Sequence, residues 1–432
     1  MDTPREIHIN VPVLTRVEGE GALELDVVGG RIQDLKLRIY DPPRLFEKFL
    51  EGYECDQVID MVARICGICP VAYQMSAVQA FERLFQLDPG PWVDDMRRVM
   101  YCGEYLQSHA LHVHLLAAPD FLGFDSAIAM AGEHPDAVRR GLKLQRLGND
   151  LIALFGARSV HPVGVRVGGF YKAPSKAAVA AIYQRLQEAL PEAQALVDWT
   201  AQLDLPDDEQ EFVSVALRHE KDYAIERGRL VSSEGLDIDI DVYEDHFKEV
   251  QSPHSTALHG ELHGKPYLVG PLARLNLNLE QLPDSVREVL DGCGVAFPSQ
   301  NMFHSIVARA VELLLVIHEA LRLLKDYRLP DRPAAEVKPM GGIAYGCTEA
   351  PRGILWHRYE LNDEGRVISA RIVPPTSQNQ PRIEEDVRLS LQNLGLDKDD
   401  QSLRLRAEQV IRNYDPCISC ATHFLKLNIR RR

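Results

Sequence analysis

Alternating apolar and polar side chains near the start of the chain predict antiparallel β-structure. The alternation runs through residues 7–40, and Gly29 and Gly30 provide a turn. A second β-meander is predicted over residues 353–374, where residues 362–365 have the composition of a turn. The sequence therefore predicts small antiparallel sheets near both ends of the chain.

Long amphipathic helices are predicted in the interior, because apolar residues recur there at the spacing of one helix face. The predicted helices span residues 93–117, 136–155, 173–203 and 303–327. Residues 204–265 are richer in charge, and their shorter period favours an irregular or β-structured insertion. The predicted fold class is α+β, with a mainly helical core and antiparallel β-hairpins.

The overall composition is that of a globular protein. The chain has 432 residues, of which 45% are hydrophobic and 26% charged, and its net charge is −15. This charge disfavours nucleic acid and anionic membranes as partners, since both require a basic surface. The polar start lacks the apolar region of a signal peptide, and no apolar run is long enough for a transmembrane helix. We therefore expect a cytoplasmic protein.

Two Cys-x-x-Cys pairs carry the strongest chemical signal. Cys66 and Cys69 form the first pair, and Cys417 and Cys420 form the second. Four thiolates are soft donors that select zinc, copper(I), iron-sulfur clusters or a nickel/iron centre. A zinc ribbon separates its pairs by about 15–20 residues, whereas 347 residues intervene here. A shared metal would therefore join the two ends of one intertwined domain, residues 1–432.

Other interpretations of the cysteines remain open from spacing alone. The pairs could be two separate redox dithiols, or thiols that are merely buried at helix ends. A structural zinc could also connect the termini without any catalytic role. The other cysteines stand alone and are predicted to be small buried hydrophobic residues; they are Cys55, Cys102, Cys293 and Cys347.

The segments around the two pairs resemble the signature motifs of the nickel-iron hydrogenase large subunit. Residues 64–70 read RICGICP, and residues 415–423 read DPCISCATH. Further matching segments occur in the expected order at residues 15–19, 44–49, 269–274, 349–353 and 375–379. Tyr73, Glu20 and Ser108 replace residues common in the family, and these departures resemble the cytosolic bidirectional branch that includes sulfhydrogenases and NAD(P)-linked enzymes.

This resemblance implies a nickel-iron centre that cleaves dihydrogen into protons and electrons. Cys66 and Cys417 would be terminal ligands of nickel, while Cys69 and Cys420 would also bridge to an iron that carries carbon monoxide and cyanide. Thr376 and Ser377 would offer a hydroxyl group to one cyanide. The four thiolates agree with the preference of soft donors for nickel.

The resemblance also implies the proton path and a second ion. The implied catalytic residues are Cys417 as first proton acceptor, Glu18 as relay, Arg352 over the open face of the metals, and Asp415, which positions Arg352. The implied magnesium ligands are Glu47, His423 and a backbone carbonyl near Gln380. A carboxylate suits such a hard cation.

The resemblance also implies partner subunits, and the motifs that the chain lacks agree with electron transfer to a partner. There is no Gly-x-Gly-x-x-Gly motif for a nucleotide and no further cysteine set for an electron wire. Electrons would pass to an iron-sulfur small subunit and then to a flavin and NAD(P)-handling module, with deazaflavin, ferredoxin or polysulfide as alternative acceptors. A maturation protease would remove residues 424–432. An alternative to a hydrogenase is a non-hydrogenase relative, the quinone-site subunit of respiratory complex I. That subunit shares the fold but has lost the four cysteines.

Overall fold

A bundle of long helices forms the centre of the computed structural model, which describes residues 6–422. The helices are α1 Phe46–Phe49, α2 Cys55–Val62, α3 Pro70–Phe85, α4 Pro91–Leu111, α5 Ala118–Phe121, α6 Ala127–Glu133, α7 Pro135–Gly156, α8 Lys176–Ala201, α9 Tyr243–His246, α10 Pro271–Leu277, α11 Asp284–Gly292, α12 Ser305–Leu324, α13 Pro375–Leu394, α14 Asp400–Asn413 and α15 Ile418–Ala421. The four predicted long helices are confirmed as α4, α7, α8 and α12. The first of them continues as a π-helix to Ala117.

Within residues 6–422, the strands form five small antiparallel sheets. The strands are β1 Ile7–Val11, β2 Gly21–Val28, β3 Arg31–Ile39, β4 Val165–Arg166, β5 Gly169–Phe170, β6 Val215–Arg218, β7 Arg229–Ser232, β8 Asp237–Ile238, β9 Phe247–Gln251, β10 Leu258–Leu262, β11 Gly342–Ala350, β12 Gly353–Leu361 and β13 Val367–Val373. They pair as β1-β2-β3, β4-β5, β6-β7-β8, β9-β10 and β11-β12-β13. The predicted fold class is confirmed, and both predicted β-meanders are present.

Two helices near the cysteine motifs, α3 and α13, were not predicted from the amphipathic pattern. Nearly all of α3 is buried, including polar residues such as Gln74 and Ser76. Most of the first half of α13 is buried as well, and Pro381 lies within it. Because polar side chains occupy many of the buried positions in these two helices, apolar residues do not mark one face, and a search for amphipathic helices does not find them.

The predicted insertion at residues 204–265 contains short strands. It holds β6 to β10 and the short helix α9, and apolar side chains of this segment pack against Trp356 and Ile354 of β12. Whether this segment is a separate insertion in a single domain stays a prediction. Among residues 6–422, no helix combines the length and the apolar character that crossing a membrane requires.

Close helix packing brings α4 and α7 together in the core. A Cβ atom at Gly148 would lie only 2.4 Å from the backbone nitrogen of Gln107. Glycine is therefore required at this crossing, because any side chain would force the helices apart. Residues of α4 and α7 belong to one large hydrophobic cluster. This cluster also contains residues of α3, α8 and α12 and all four motif cysteines.

A buried ion network fixes the turn between β11 and β12. Arg274 donates to Glu312 at 2.7 Å and to Glu349 at 2.9 Å, and all three side chains are fully buried. Burial alone would raise the pKa of Glu312. The attraction of the Arg274 charge outweighs burial and lowers this pKa to about 2. Arg274 also donates to the carbonyls of Ala350 and Pro351. The network therefore holds the backbone that presents the next residue, Arg352.

Candidate metal centre

Four buried cysteines from the two ends of the chain meet at one point. The Sγ atoms of Cys66 and Cys69 lie 2.6 Å apart, and those of Cys417 and Cys420 lie 2.7 Å apart. Between the pairs, Cys66 lies 3.6 Å from Cys417, and Cys69 lies 3.8 Å from Cys420. None of the four is more than 3% exposed. The four sulfur atoms all lie within 4.8 Å of one another, so they could hold one metal ion together.

Each pair lies at the start of a helix. Cys69 immediately precedes α3, and Cys417 immediately precedes α15. The backbone N–H groups of Ile68 and Cys69 donate to Cys66 Sγ at 3.3 and 3.0 Å. Free N–H groups at a helix start favour negative charge. The local fold therefore supports a thiolate at Cys66.

Arg44 ties the loops of the two pairs together. Its guanidinium donates to the carbonyl oxygens of Ile65, at 2.6 Å, and Ser419. Its backbone N–H donates to the carbonyl of Thr422 at 2.7 Å. One side chain thus spans the residues next to both motifs, which explains how segments far apart in sequence keep a fixed separation.

Glu18 reaches the second cysteine pair from the N-terminal segment. Its Oε2 lies 3.2 Å from Cys417 Sγ and accepts a hydrogen bond from the Ser419 N–H at 3.0 Å. The Ile418 N–H donates to the Glu18 carbonyl at 3.0 Å. Gly19 has φ of +87°, and a Cβ there would lie 2.7 Å from Ile418 Cβ. The glycine after Glu18 therefore lets the two segments approach.

Arg352 and Asp415 form a buried pair beside the cysteines. Arg352 Nε donates to the Asp415 carbonyl at 2.6 Å, and Nη2 donates to Asp415 Oδ1 at 3.0 Å. Its Nη1 donates to Ser108 Oγ at 3.3 Å. Burial opposes the charge of Arg352, but Asp415 and then Cys417 outweigh burial and raise the pKa of the arginine. A fixed positive charge therefore faces the thiols.

Helix α13 presents three of the predicted site residues. Thr376 Oγ1 accepts a hydrogen bond from the Cys417 N–H at 3.1 Å. Ser377 Oγ and both polar side-chain atoms of Gln380 are buried and have no hydrogen-bond partner among the described residues. The interpretation of Thr376 and Ser377 as donors to a cyanide stays a prediction.

The predicted magnesium ligands are only partly described. Glu47 Oε1 accepts a hydrogen bond from the Ile372 N–H of β13 at 2.7 Å. Gln380 lies in the second turn of α13, and His423 and the tail 424–432 lie outside the described residues. The assignment of Glu47, Gln380 and His423 to one ion stays a prediction.

The chemistry of the pocket fits a metal cofactor that carries small polar ligands. Burial raises the pKa of the Cys69 and Cys420 thiols, so a cation is needed to hold them as thiolates. The hydroxyl of Tyr73 is buried without a partner in the described part of the chain. Burial, followed by the nearby Cys420, raises the pKa of Tyr73 well above its usual value. Tyr73 thus remains a hydrogen-bond donor beside the sulfur atoms.

Two polar residues of α4 contribute to the site and were missed in the sequence. Glu104 accepts from the N–H groups of Val71 and Ala72 at 2.6 and 3.1 Å, and burial raises the pKa of its carboxyl. Gln107 donates to the Ile68 carbonyl. Both residues support the backbone of the first cysteine motif. The sequence signal that could have identified Glu104 is its position as an acidic residue within the apolar segment 99–106.

Comparisons with known proteins agree with this geometry. The family model "Nickel-dependent hydrogenase" matches residues 44–139 and 241–423. The sulfhydrogenase 1 alpha subunit of Pyrococcus furiosus is 32% identical over 423 residues, which cover 97% of this chain and 98% of the relative. The NAD-reducing hydrogenase HoxS beta subunit of Cupriavidus necator is 27% identical over 461 residues, covering 95% and 94%.

A solved structure gives the same result in three dimensions. The crystal structure of an NAD⁺-reducing [NiFe]-hydrogenase in the H₂-reduced state has a TM-score of 0.86 and 26% identity, and the match covers 96% of this chain and 99% of the other. The resemblance predicted from the cysteine motifs is confirmed. The chain belongs to the nickel-dependent hydrogenase family and is the large subunit of a nickel-iron hydrogenase.

Proposed function

We propose that this chain cleaves dihydrogen reversibly and heterolytically at the four-cysteine site, with Cys417 and Glu18 as the start of the proton path. The observation that carries this proposal is the 3.2 Å separation of Glu18 Oε2 and Cys417 Sγ at the edge of the cysteine cluster. A metal-binding thiol and a carboxylate at hydrogen-bond distance can exchange a proton directly. A structural zinc site has no need of such a base.

The cofactor in this proposal is a nickel-iron centre with carbon monoxide and cyanide on the iron. Cys66 and Cys417 would hold nickel, and Cys69 and Cys420 would hold both metals. When bound, this centre would supply the Lewis acidity and the redox capacity that dihydrogen cleavage needs. The soft, buried donor set supports this choice over a hard cation.

The protein residues would then hold and move the proton. Cys417 Sγ would take it first, and Glu18 would accept it from the sulfur. The Ser419 N–H keeps the Glu18 carboxylate in place, so the transfer requires little rearrangement. Arg352, oriented by Asp415, would direct its guanidinium at the substrate position and at a cyanide.

Electrons would leave through partner subunits. The relatives named above are single subunits of larger hydrogenases, which supports a partnership with an iron-sulfur small subunit. One relative is named as NAD-reducing, so we propose a flavin and NAD(P)-handling module as the next partner. The proposal also includes a magnesium ion at Glu47 and removal of residues 424–432 by a maturation protease. A cytoplasmic location stays a prediction.

The direct test is an assay of the purified complex. We expect nickel and iron in equal amounts at the large-subunit site, infrared bands of metal-bound carbon monoxide and cyanide, and reduction of NAD(P)⁺ under hydrogen gas. Zinc in place of nickel, without these infrared bands, would instead support a structural site. Hydrogen-dependent reduction of a dye but not of NAD(P)⁺ would contradict the proposed acceptor alone.

Replacing Arg352 by lysine should lower the rate of dihydrogen oxidation by about 100- to 1,000-fold. A lysine ammonium cannot contact the Asp415 carboxylate, the Asp415 carbonyl and Ser108 together, as the planar guanidinium does. Arg358→Lys is the matched control, because Arg358 lies on the nearby strand β12, is partly exposed and pairs with Glu244 at 3.5 Å. Equal rates for the two variants would contradict the proposed role.

A further inference from the structure

Two histidines and a glutamate converge at a place that shares no residue with the four-cysteine site. His254 precedes β10, His259 lies on β10, and Glu384 lies on α13. One ring nitrogen of each histidine and one carboxylate oxygen of Glu384 all lie within 4.8 Å of one another. His254 Nε2 lies 2.7 Å from Glu384 Oε1. Three groups of metal-ligand type thus meet across two different elements.

An unpartnered ring nitrogen indicates that this cluster has a ligand. His259 is only 8% exposed, and its Nε2 is buried without a hydrogen-bond partner in the part of the chain that the structure describes. Buried polar atoms in folded proteins nearly always have a partner. The rings of His254 and His259 face each other edge to face, with centroids 5.6 Å apart. This buried nitrogen is therefore available to bind an ion.

Neighbouring groups orient two of the three side chains. Ser252 Oγ lies 2.8 Å from His254 Nδ1, so the hydroxyl holds the ring by the nitrogen that faces away from Glu384. The Leu37 N–H of β3 donates to Glu384 Oε1 at 2.8 Å. Such outer contacts are typical of metal ligands, because they fix the direction in which the free lone pair points.

We propose that His254, His259 and Glu384 form a second metal site, which binds a divalent zinc ion with water in the fourth position. Two imidazoles and one carboxylate are a common zinc set, and imidazole nitrogens disfavour magnesium or calcium. Ligands of tetrahedral zinc lie about 3.4 Å apart, given bonds of about 2.0–2.1 Å. The present separations lie between 2.7 and 4.8 Å, so small side-chain movements complete the site.

The ion would connect three parts of the fold. It would join β10 to α13 directly, and it would hold β3 through the contact between Leu37 and Glu384. His254 and Glu384 are each 19% exposed in their side chains, so solvent can reach the ion and exchange it. The expected role is to stabilise this side of the subunit, since an ion bound only to the folded state raises its stability.

Zinc titration of the purified hydrogenase complex tests this site. After a chelator wash, we expect one zinc ion per large subunit to rebind and to raise the unfolding temperature. The His259→Gln and Glu384→Gln variants should each weaken zinc binding by at least about 100-fold, because each removes a direct ligand. Glutamine at position 384 still accepts from Leu37, so the packing is retained.

His263→Gln is the matched control. His263 Nε2 and His246 Nδ1 lie 2.9 Å apart in a more exposed histidine pair, and this pair is not part of a three-ligand cluster among the described residues. We expect its zinc affinity to equal that of the parent. Equal zinc affinity in the parent and in His259→Gln would overturn the proposal, as would an anomalous diffraction peak for zinc anywhere other than between the three side chains.

Discussion

Replacing Glu18 by glutamine should reduce dihydrogen oxidation by about 100- to 10,000-fold while the nickel and iron contents stay unchanged. Glutamine is nearly the same size and still accepts the Ser419 N–H that Glu18 accepts at 3.0 Å. Its amide cannot take a proton from Cys417 near neutral pH, so the transfer across the 3.2 Å contact is lost. General acid–base groups contribute about this factor to reaction rates.

The measurement combines hydrogen-dependent dye reduction with metal analysis of the same preparation. Glu20→Gln is the control, because Glu20 is exposed and lies only two residues away. Loss of one surface carboxylate should leave the rate within about twofold of the parent. A Glu18→Gln enzyme with the full metal content and a rate close to that of the parent would show that protons leave by another path.

Replacing Cys66 by serine should remove nickel from the protein and abolish dihydrogen oxidation. Cys66 Sγ lies 2.6 Å from Cys69 Sγ and 3.6 Å from Cys417 Sγ, inside the donor cluster. A serine hydroxyl is a hard donor with little tendency to ionise, so the soft-metal site would have only three thiolates. We expect the nickel content to fall by at least about tenfold, as measured by elemental analysis.

Cys55→Ser is the control that distinguishes loss of a metal ligand from general destabilisation of the core. Cys55 is also buried, and its thiol donates to the Gly365 carbonyl at 3.3 Å, a bond that a serine hydroxyl can replace. Cys55 lies at the first position of α2, directly after the N-cap Glu54. This control should keep its nickel and its activity. A Cys66→Ser protein with the full amount of nickel would contradict the four-cysteine site.

The sequence alone was enough to predict the family. Soft donors at opposite ends of the chain indicated a shared metal, and the segments around them identified the nickel-iron hydrogenase large subunit, as the comparisons confirm. The long helices α4, α7, α8 and α12 were also predictable, because apolar residues recur along each of them at the spacing of one helix face.

Helices α3 and α13, in which many buried side chains are polar, were not predictable in this way. Helix α3 carries Tyr73 and begins after Cys69, and it has almost no polar stripe. Glu104 was not predicted as a site residue either, although it accepts from the N–H groups of Val71 and Ala72 in the first turn of α3. The positions of α3 and Glu104 depend on contacts with residues of other elements, and the local periodicity of the sequence does not reveal such contacts.

The tertiary structure decided which distant residues meet. Arg44 holds the backbone of both cysteine loops, Gly19 lets Glu18 approach Cys417, and Arg274 fixes the turn that presents Arg352. His254 and Glu384 are 130 residues apart and meet only because β10 packs on α13. Sequence determined the kind of donor at each position, since that is a property of the side chain. Distance and burial arise from the packing of the whole core, so only the folded chain could reveal them.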